Sequence, residues 1–115
     1  MHELAICQSL ISQVEKIADD NTPCKVAIIK VKIGPLSGVE PSLLVNAYSI
    51  AKMGSVAESA ELIIEIDDII AYCNQCEQKF PAKVNNLSCP KCKNWQTQLI
   101  SGNDMLLQTV ELDEL

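Results

Sequence analysis

Two Cys-x-x-Cys pairs constrain this chain more than any other feature. They read Cys73-Asn74-Gln75-Cys76, then twelve residues, then Cys89-Pro90-Lys91-Cys92. Two residues between cysteines let one tight turn aim both sulfurs at one ion. The twelve between the pairs, Glu77 to Ser88 with Phe80 and Pro81, are enough for a short hairpin that brings the second turn back. Zn²⁺ takes a tetrahedron of soft ligands, and four thiolates fill it with no position left for water, so the spacing predicts a structural zinc site. A thioredoxin-like redox pair would need one pair at a helix start, not two facing pairs. Iron in a rubredoxin-like shell is chemically compatible with four sulfurs, although such carriers space their pairs more widely. In a reducing compartment, paired Cys-x-x-Cys means metal before disulfide.

The rest of the 115 residues reads as one compact α+β unit, with about three strands in a small mixed sheet and two helices. Leu4, Cys7, Ile11, Val14 and Ala18, flanked by Leu10 and Ile17, make an apolar stripe at helical spacing. Cys7 lies on that stripe and reads as a small core residue. Asp19-Asp20-Asn21-Thr22-Pro23 ends the helix. Lys25 to Ile33 reads as a strand with Ala27, Ile29, Val31 and Ile33 inward. After the loop Gly34-Pro35-Leu36-Ser37-Gly38, Pro41 suits a helix start. Leu43, Leu44, Ala47, Ile50 and Ala51 are expected on that helix's buried face, with Gly54 as its end. Glu61 to Asp67 alternates as a half-buried strand with Leu62, Ile64 and Ile66 on one face. Strand, helix, strand in this order predicts a crossover between parallel strands. Met105 to Leu112 is the expected closing strand. The cysteine segment is thus an inserted lobe resembling a zinc ribbon.

Net charge is −6, with a sequence pI near 4.6. Nucleic-acid binding depends on Lys and Arg neutralising phosphates, so the balance argues against it. No apolar run approaches the ~20 residues of a membrane span, and the N-terminus does not read as a signal peptide. The expectation is a soluble, cytoplasmic protein.

The chain has one histidine, His2. The amine of Met1, the backbone nitrogen of His2 and its imidazole can close fused chelate rings around one ion. Glu3 can complete the shell through its nitrogen or its carboxylate. Nitrogen ligands in a plane favour Ni²⁺ or Cu²⁺. The same three residues also suit a plain helix start, where the Glu3 charge is worth about 0.3–1 kcal/mol.

Taken together these features resemble the HypA/HybF family of hydrogenase nickel-incorporation maturation factors, some of which also serve urease. The resemblance runs over nearly the whole chain. It takes in Met1-His2-Glu3, Cys7-Gln8, Ile33-Gly34, Leu36-Ser37 and Val39-Glu40-Pro41. It continues through Gly54-Ser55-Val56-Ala57-Glu58, Leu62 with Ile64-Glu65, both cysteine pairs and the strand near Glu111. It implies nickel bound by His2 with Glu3, zinc bound by Cys73, Cys76, Cys89 and Cys92, and a carrier role without catalysis. The implied partners are the nickel-binding GTPase HypB, a hydrogenase large-subunit precursor and urease maturation proteins, and the family role also allows a homodimer. The implied division is a nickel-binding α/β domain of residues 1–68 with 103–115, and a zinc-binding domain of residues 69–102. Ser42, Tyr48, Glu77 and Lys93 depart from the family's usual pattern. At Glu77 and Lys93, just after each cysteine pair, glycine is common.

Two other functions compete. A zinc-ribbon module binding nucleic acid or protein, with no nickel role, would use Lys79, Lys83, Lys91, Lys93 and Trp95. An enzyme would need a catalytic set, and the chain has no second histidine, no Ser-His-Asp arrangement and no phosphate loop.

Overall fold

A computed structural model describes residues 2–114, with the His2 side chain outside the described part. Helix α1 (His2–Asp20) is followed by β1 (Cys24–Ile33), α2 (Pro41–Ala51), β2 (Glu61–Ile66), β3 (Ile70–Cys73), β4 (Gln78–Pro81), β5 (Gln98–Ser101) and β6 (Met105–Glu114). The strands form two sheets, ordered β2-β1-β6 and β4-β3-β5. β1 and β2 are parallel, as the intervening α2 requires, and β6 returns antiparallel on the other side of β1. The first sheet is therefore mixed and three-stranded, with both helices belonging to its half of the molecule.

The larger core is aliphatic. From α1 it takes Cys7, Leu10, Ile11, Val14 and Ala18, all buried, as the helical stripe predicts. From β1 it takes Val26, Ile29, Val31 and Ile33. Here the expected inward face is corrected at one position, with Val26 replacing Ala27. The pairing with β6 steps from Val26↔Leu112 to Ile28↔Glu111, leaving Ala27 as the extra residue of a β-bulge. A bulge advances the alternation by one residue, so the inward set runs 26, 29, 31, 33.

α2 is corrected more strongly. Its buried residues are Leu44, Ala47 and Tyr48, while Leu43 and Ile50 lie exposed at 51% and 65%. The helix is apolar around most of its circumference, so spacing alone does not select its inner face. Tyr48 decides it. Its ring is buried, and its hydroxyl donates toward the carbonyls of Ala57 (3.2 Å) and Ala60 (3.0 Å) in the turn before β2. A large ring with a satisfied hydroxyl gains more from burial than an isoleucine at the helix rim. Gly54 follows α2 with φ +76°, a left-handed position suited to its expected role at the helix end.

The second core is small: Ala71, Cys73, Phe80 and Cys89, with Cys76 and Ala82 against it. The two halves meet at Gly34. Its N–H donates to the Asp104 carbonyl (2.9 Å), and Leu36 N–H donates to the Gly102 carbonyl (2.8 Å). A Cβ on Gly34 would lie 2.2 Å from the Gly102 oxygen, and Gly102 itself has φ +100° with a would-be Cβ 2.9 Å from the Ile69 Cα. Only two glycines let these backbones approach so closely. The Ser101 hydroxyl donates to the Asp68 carbonyl (2.8 Å), joining the two chain crossings.

Candidate metal centres

The first cysteine pair sits on a hairpin. Cys73 ends β3, residues 74–77 turn, and β4 pairs back with Cys73 opposite Gln78. The hairpin expected within residues 77–88 therefore forms one step earlier, around the first pair. Residues 82–87 make only a tight turn with a Lys83–Asn86 bridge. The second pair sits on a knuckle in which Lys93 N–H donates to the Cys89 carbonyl (2.9 Å). The Thr97 hydroxyl, donating to the Leu87 carbonyl at 2.7 Å, ties this segment down.

These two turns bring all four sulfurs within 4.8 Å of one another. Cys73 and Cys92 are 3.6 Å apart at Sγ, and Cys76 and Cys89 are 3.9 Å apart. Zinc–sulfur bonds of 2.3 Å in a regular tetrahedron put sulfurs about 3.8 Å from each other. The cluster thus fits a single tetrahedral ion. Sulfurs in a disulfide are separated by only ~2.05 Å, and all six cysteines are free. Cys7 and Cys24 lie elsewhere, their thiols facing the Leu44 carbonyl (3.5 Å) and the Ala18 carbonyl (3.4 Å).

The backbone prepares the sulfurs unequally. The Cys76 N–H points at Cys73 Sγ (3.5 Å) and lowers the Cys73 pKa. The Cys92 N–H does the same for Cys89, bringing it to about 7. Cys76 is pushed up to about 12, first by the Cys92 thiol and then by desolvation. At Cys92 the Asn94 N–H pulls downward, but desolvation and the Cys73 thiol outweigh it and the net shift is upward. Four crowded sulfurs cannot all be thiolates alone. A divalent ion removes the conflict by displacing the remaining protons.

Glu77 and Lys93, the residues just after each pair, have φ +53° and +64°. This left-handed region costs a non-glycine residue about 1–2 kcal/mol. The departure from glycine at these two positions is therefore a departure in backbone energy.

The amino-terminal candidates are Met1, His2 and Glu3. Met1 and the His2 side chain lie outside the described residues. The backbone of His2 opens α1, and Glu3, half-buried, is the acidic residue of its first turn. The first N–H groups of a helix have no intrahelical acceptor, so nitrogens here can bind an ion without breaking a helical hydrogen bond. The positive end of the helix dipole opposes a cation by about 0.3–1 kcal/mol, and the Glu3 carboxylate offsets it.

A family model described as "Hydrogenase/urease nickel incorporation, metallochaperone, hypA" matches residues 1–112. The chain belongs to the HypA family. The hydrogenase maturation factor HypA of Aquifex aeolicus is 44% identical over 113 residues, covering 98% of each chain. That of Nitrosospira multiformis is 41% identical over 112 residues, covering 97% of each. The solution structure of the Ni metallochaperone HypA from Helicobacter pylori superposes with a TM-score of 0.75 at 28% identity, covering 98% of each chain. The HypA family comprises nickel-incorporation factors, and this member carries a four-cysteine metal-binding cluster. Among the described residues, no helix is long and apolar enough to cross a membrane.

Proposed function

We propose that this chain carries Ni²⁺ at its amino terminus and delivers it to an immature [NiFe] hydrogenase. The ligands are the Met1 amine, the His2 backbone nitrogen and imidazole, and Glu3. The reading takes Met1 as the first residue of the working protein. One observation carries it: the match to a nickel-incorporation family reaches residue 1, where the sole histidine of the sequence follows. Cys73, Cys76, Cys89 and Cys92 hold a structural Zn²⁺ whose closed thiolate shell leaves no catalytic opening. The protein then acts in the cytoplasm as a carrier and not as an enzyme. Its partners are the GTPase HypB and the hydrogenase large-subunit precursor, and urease maturation proteins are further clients. Residues 1–68 with 103–115 form the nickel-binding domain, and residues 69–102 the zinc-binding domain.

The test is calorimetric nickel titration of the zinc-loaded, untagged chain. His2→Ala and a form with one extra residue before Met1 serve as comparisons. Both are expected to lose the tight nickel site and keep their zinc. Equal nickel affinity in all three would overturn the proposal.

A further inference from the structure

Charge is divided unevenly along this chain. Residues 69–102 carry four lysines and one carboxylate, Glu77, whereas the other 81 residues carry five lysines and fourteen carboxylates. The cysteine lobe is thus +3 on its side chains, while the remainder is −9. Four thiolates with one dication contribute −2 and leave the lobe still positive. The molecule is 55 Å long, and salt screens charge beyond ~8 Å. A partner meeting the lobe therefore meets a basic surface, despite a net charge of −6.

These lysines make no ion pair among the described residues. Among the described residues the one ion pair is Lys30–Glu65, in the other half. Within the lobe, Lys91 Nζ donates to the Gln78 side chain at 2.6 Å. Lys79, Lys83 and Lys93 are exposed.

Two clefts lie beside them. One, of about 400 Å³, runs over the outer face of the second sheet and is lined by Ile70, Lys79, Phe80, Pro81, Ile100 and Ser101. Ile100 is 46% exposed there. The other, of about 270 Å³, is polar, with Lys83, Asn86, Ser88 and Lys93 in its walls. Pro81 borders both. An apolar seat with one lysine thus adjoins a cationic seat with two.

We propose that this face of the cysteine lobe docks an acidic segment of a partner protein. An apolar side chain of the segment fills the cleft between Ile70 and Ile100, and neighbouring carboxylates meet Lys79, Lys83 and Lys93. Protein is favoured over nucleic acid because the lobe offers only four lysines and no arginine, few for backbone neutralisation beside a −9 remainder. The remainder also repels an acidic segment, so it confines docking to the lobe. The inference goes beyond nickel carriage and does not depend on it.

The test uses the full zinc-loaded chain, ¹⁵N-labelled and free of nickel. The probe is a short synthetic peptide alternating Glu and Ile. Chemical-shift changes are expected within residues 70–101. Binding is expected to weaken steeply as salt rises, and about tenfold in a Lys79→Gln, Lys83→Gln, Lys93→Gln triple variant. The corresponding arginine variant keeps binding. Equal binding of the peptide with Gln in place of Glu, or by the glutamine variant, overturns the proposal. So does tighter binding of a thymidine oligonucleotide, or lobe shifts that follow protein concentration without peptide. Should the glutamine variant lose its zinc, the salt series on the unmodified chain decides, and salt-insensitive binding overturns the proposal.

Discussion

The two halves of this molecule are held together by different physics. The half built on β2-β1-β6 buries Leu10, Ile11, Val14, Val26, Ile29, Val31, Ile33 and Leu44 in one continuous cluster. Each large aliphatic side chain there is worth about 1.5–3 kcal/mol of burial. The half built on β4-β3-β5 buries Ala71, Phe80 and two cysteines. Within that cluster Phe80 is the one large buried apolar side chain, Ile69 being buried apart from it where the lobe begins, and Cys73 and Cys89 also belong to the sulfur cluster. The first half folds by excluding water. The second brings four sulfurs to tetrahedral spacing and leaves an ion to supply the missing energy. A carrier benefits from this division, because a metal-held lobe can be shaped for contact without enlarging a core.

Metal removal is expected to have the largest effect and to separate the two halves most clearly. A structural zinc contributes about 10–16 kcal/mol in comparable peptides. Stripping the ion with a chelator is expected to abolish hydrogen-exchange protection over residues 70–101 and leave that of Val26 to Ile33 almost unchanged. Unchanged protection in the lobe would show that its few buried side chains suffice.

The reciprocal perturbation is Ile29→Ala. Ile29 is fully buried at the centre of β1, between Leu62 and Val110 in register. The loss should be about 2–5 kcal/mol in denaturant unfolding of the α/β half. The metal-to-protein ratio of the folded chain is expected to stay the same. Loss of the bound ion in step with the unfolding of β1, in the variant and the unmodified chain alike, would contradict the division.

The lobe is the half more legible in the sequence. Metal chemistry acts over a few residues, so Cys73, Cys76, Cys89 and Cys92 announce themselves by spacing, and their sulfurs do converge. The α1 stripe was equally plain, because helical periodicity is local. What escaped depends on distant partners. The bulge at Ala27 exists only because β6 pairs there with a residue to spare. The burial of Tyr48 depends on two carbonyls in the turn before β2. The contact of Gly34 with Gly102 joins residues far apart in sequence, and nothing local to either marks it. The hairpin around the first cysteine pair is hidden in the sequence because its first arm, β3, is only four residues long and is defined by its pairing with β4. Nickel ligation at Met1, His2 and Glu3 remains the reading of sequence and family.

A smaller effect sharpens the account of the lobe. Glu77→Gly and Lys93→Gly are each expected to stabilise the metal-loaded lobe by about 1 kcal/mol, by relieving left-handed backbone. Competition with a chromogenic chelator measures this as slower metal loss. Unchanged or faster loss would mean that the two side chains compensate the strain.

The smallest effect belongs to the other half. Burial, then the charge of Glu3, raises the Cys7 pKa above its ordinary 9.0. Burial, then Cys7, raises that of Tyr48 above 10.0. The folded chain keeps protons that the unfolded chain releases, so stability is full below about pH 9 and falls as pH rises beyond it. Denaturation midpoints at rising pH should show this decline, and Cys7→Ala should flatten it. A decline of the same size in the variant would assign it elsewhere.

X-ray absorption at the nickel and zinc edges of the doubly loaded, untagged chain is the most direct measurement of where each metal resides. Nickel is expected in a shell of nitrogen and oxygen atoms with an imidazole signature, and zinc in a shell of four sulfurs near 2.3 Å. Nickel surrounded by sulfur, or zinc without it, would mean that the two metals do not occupy separate amino-terminal and four-cysteine sites.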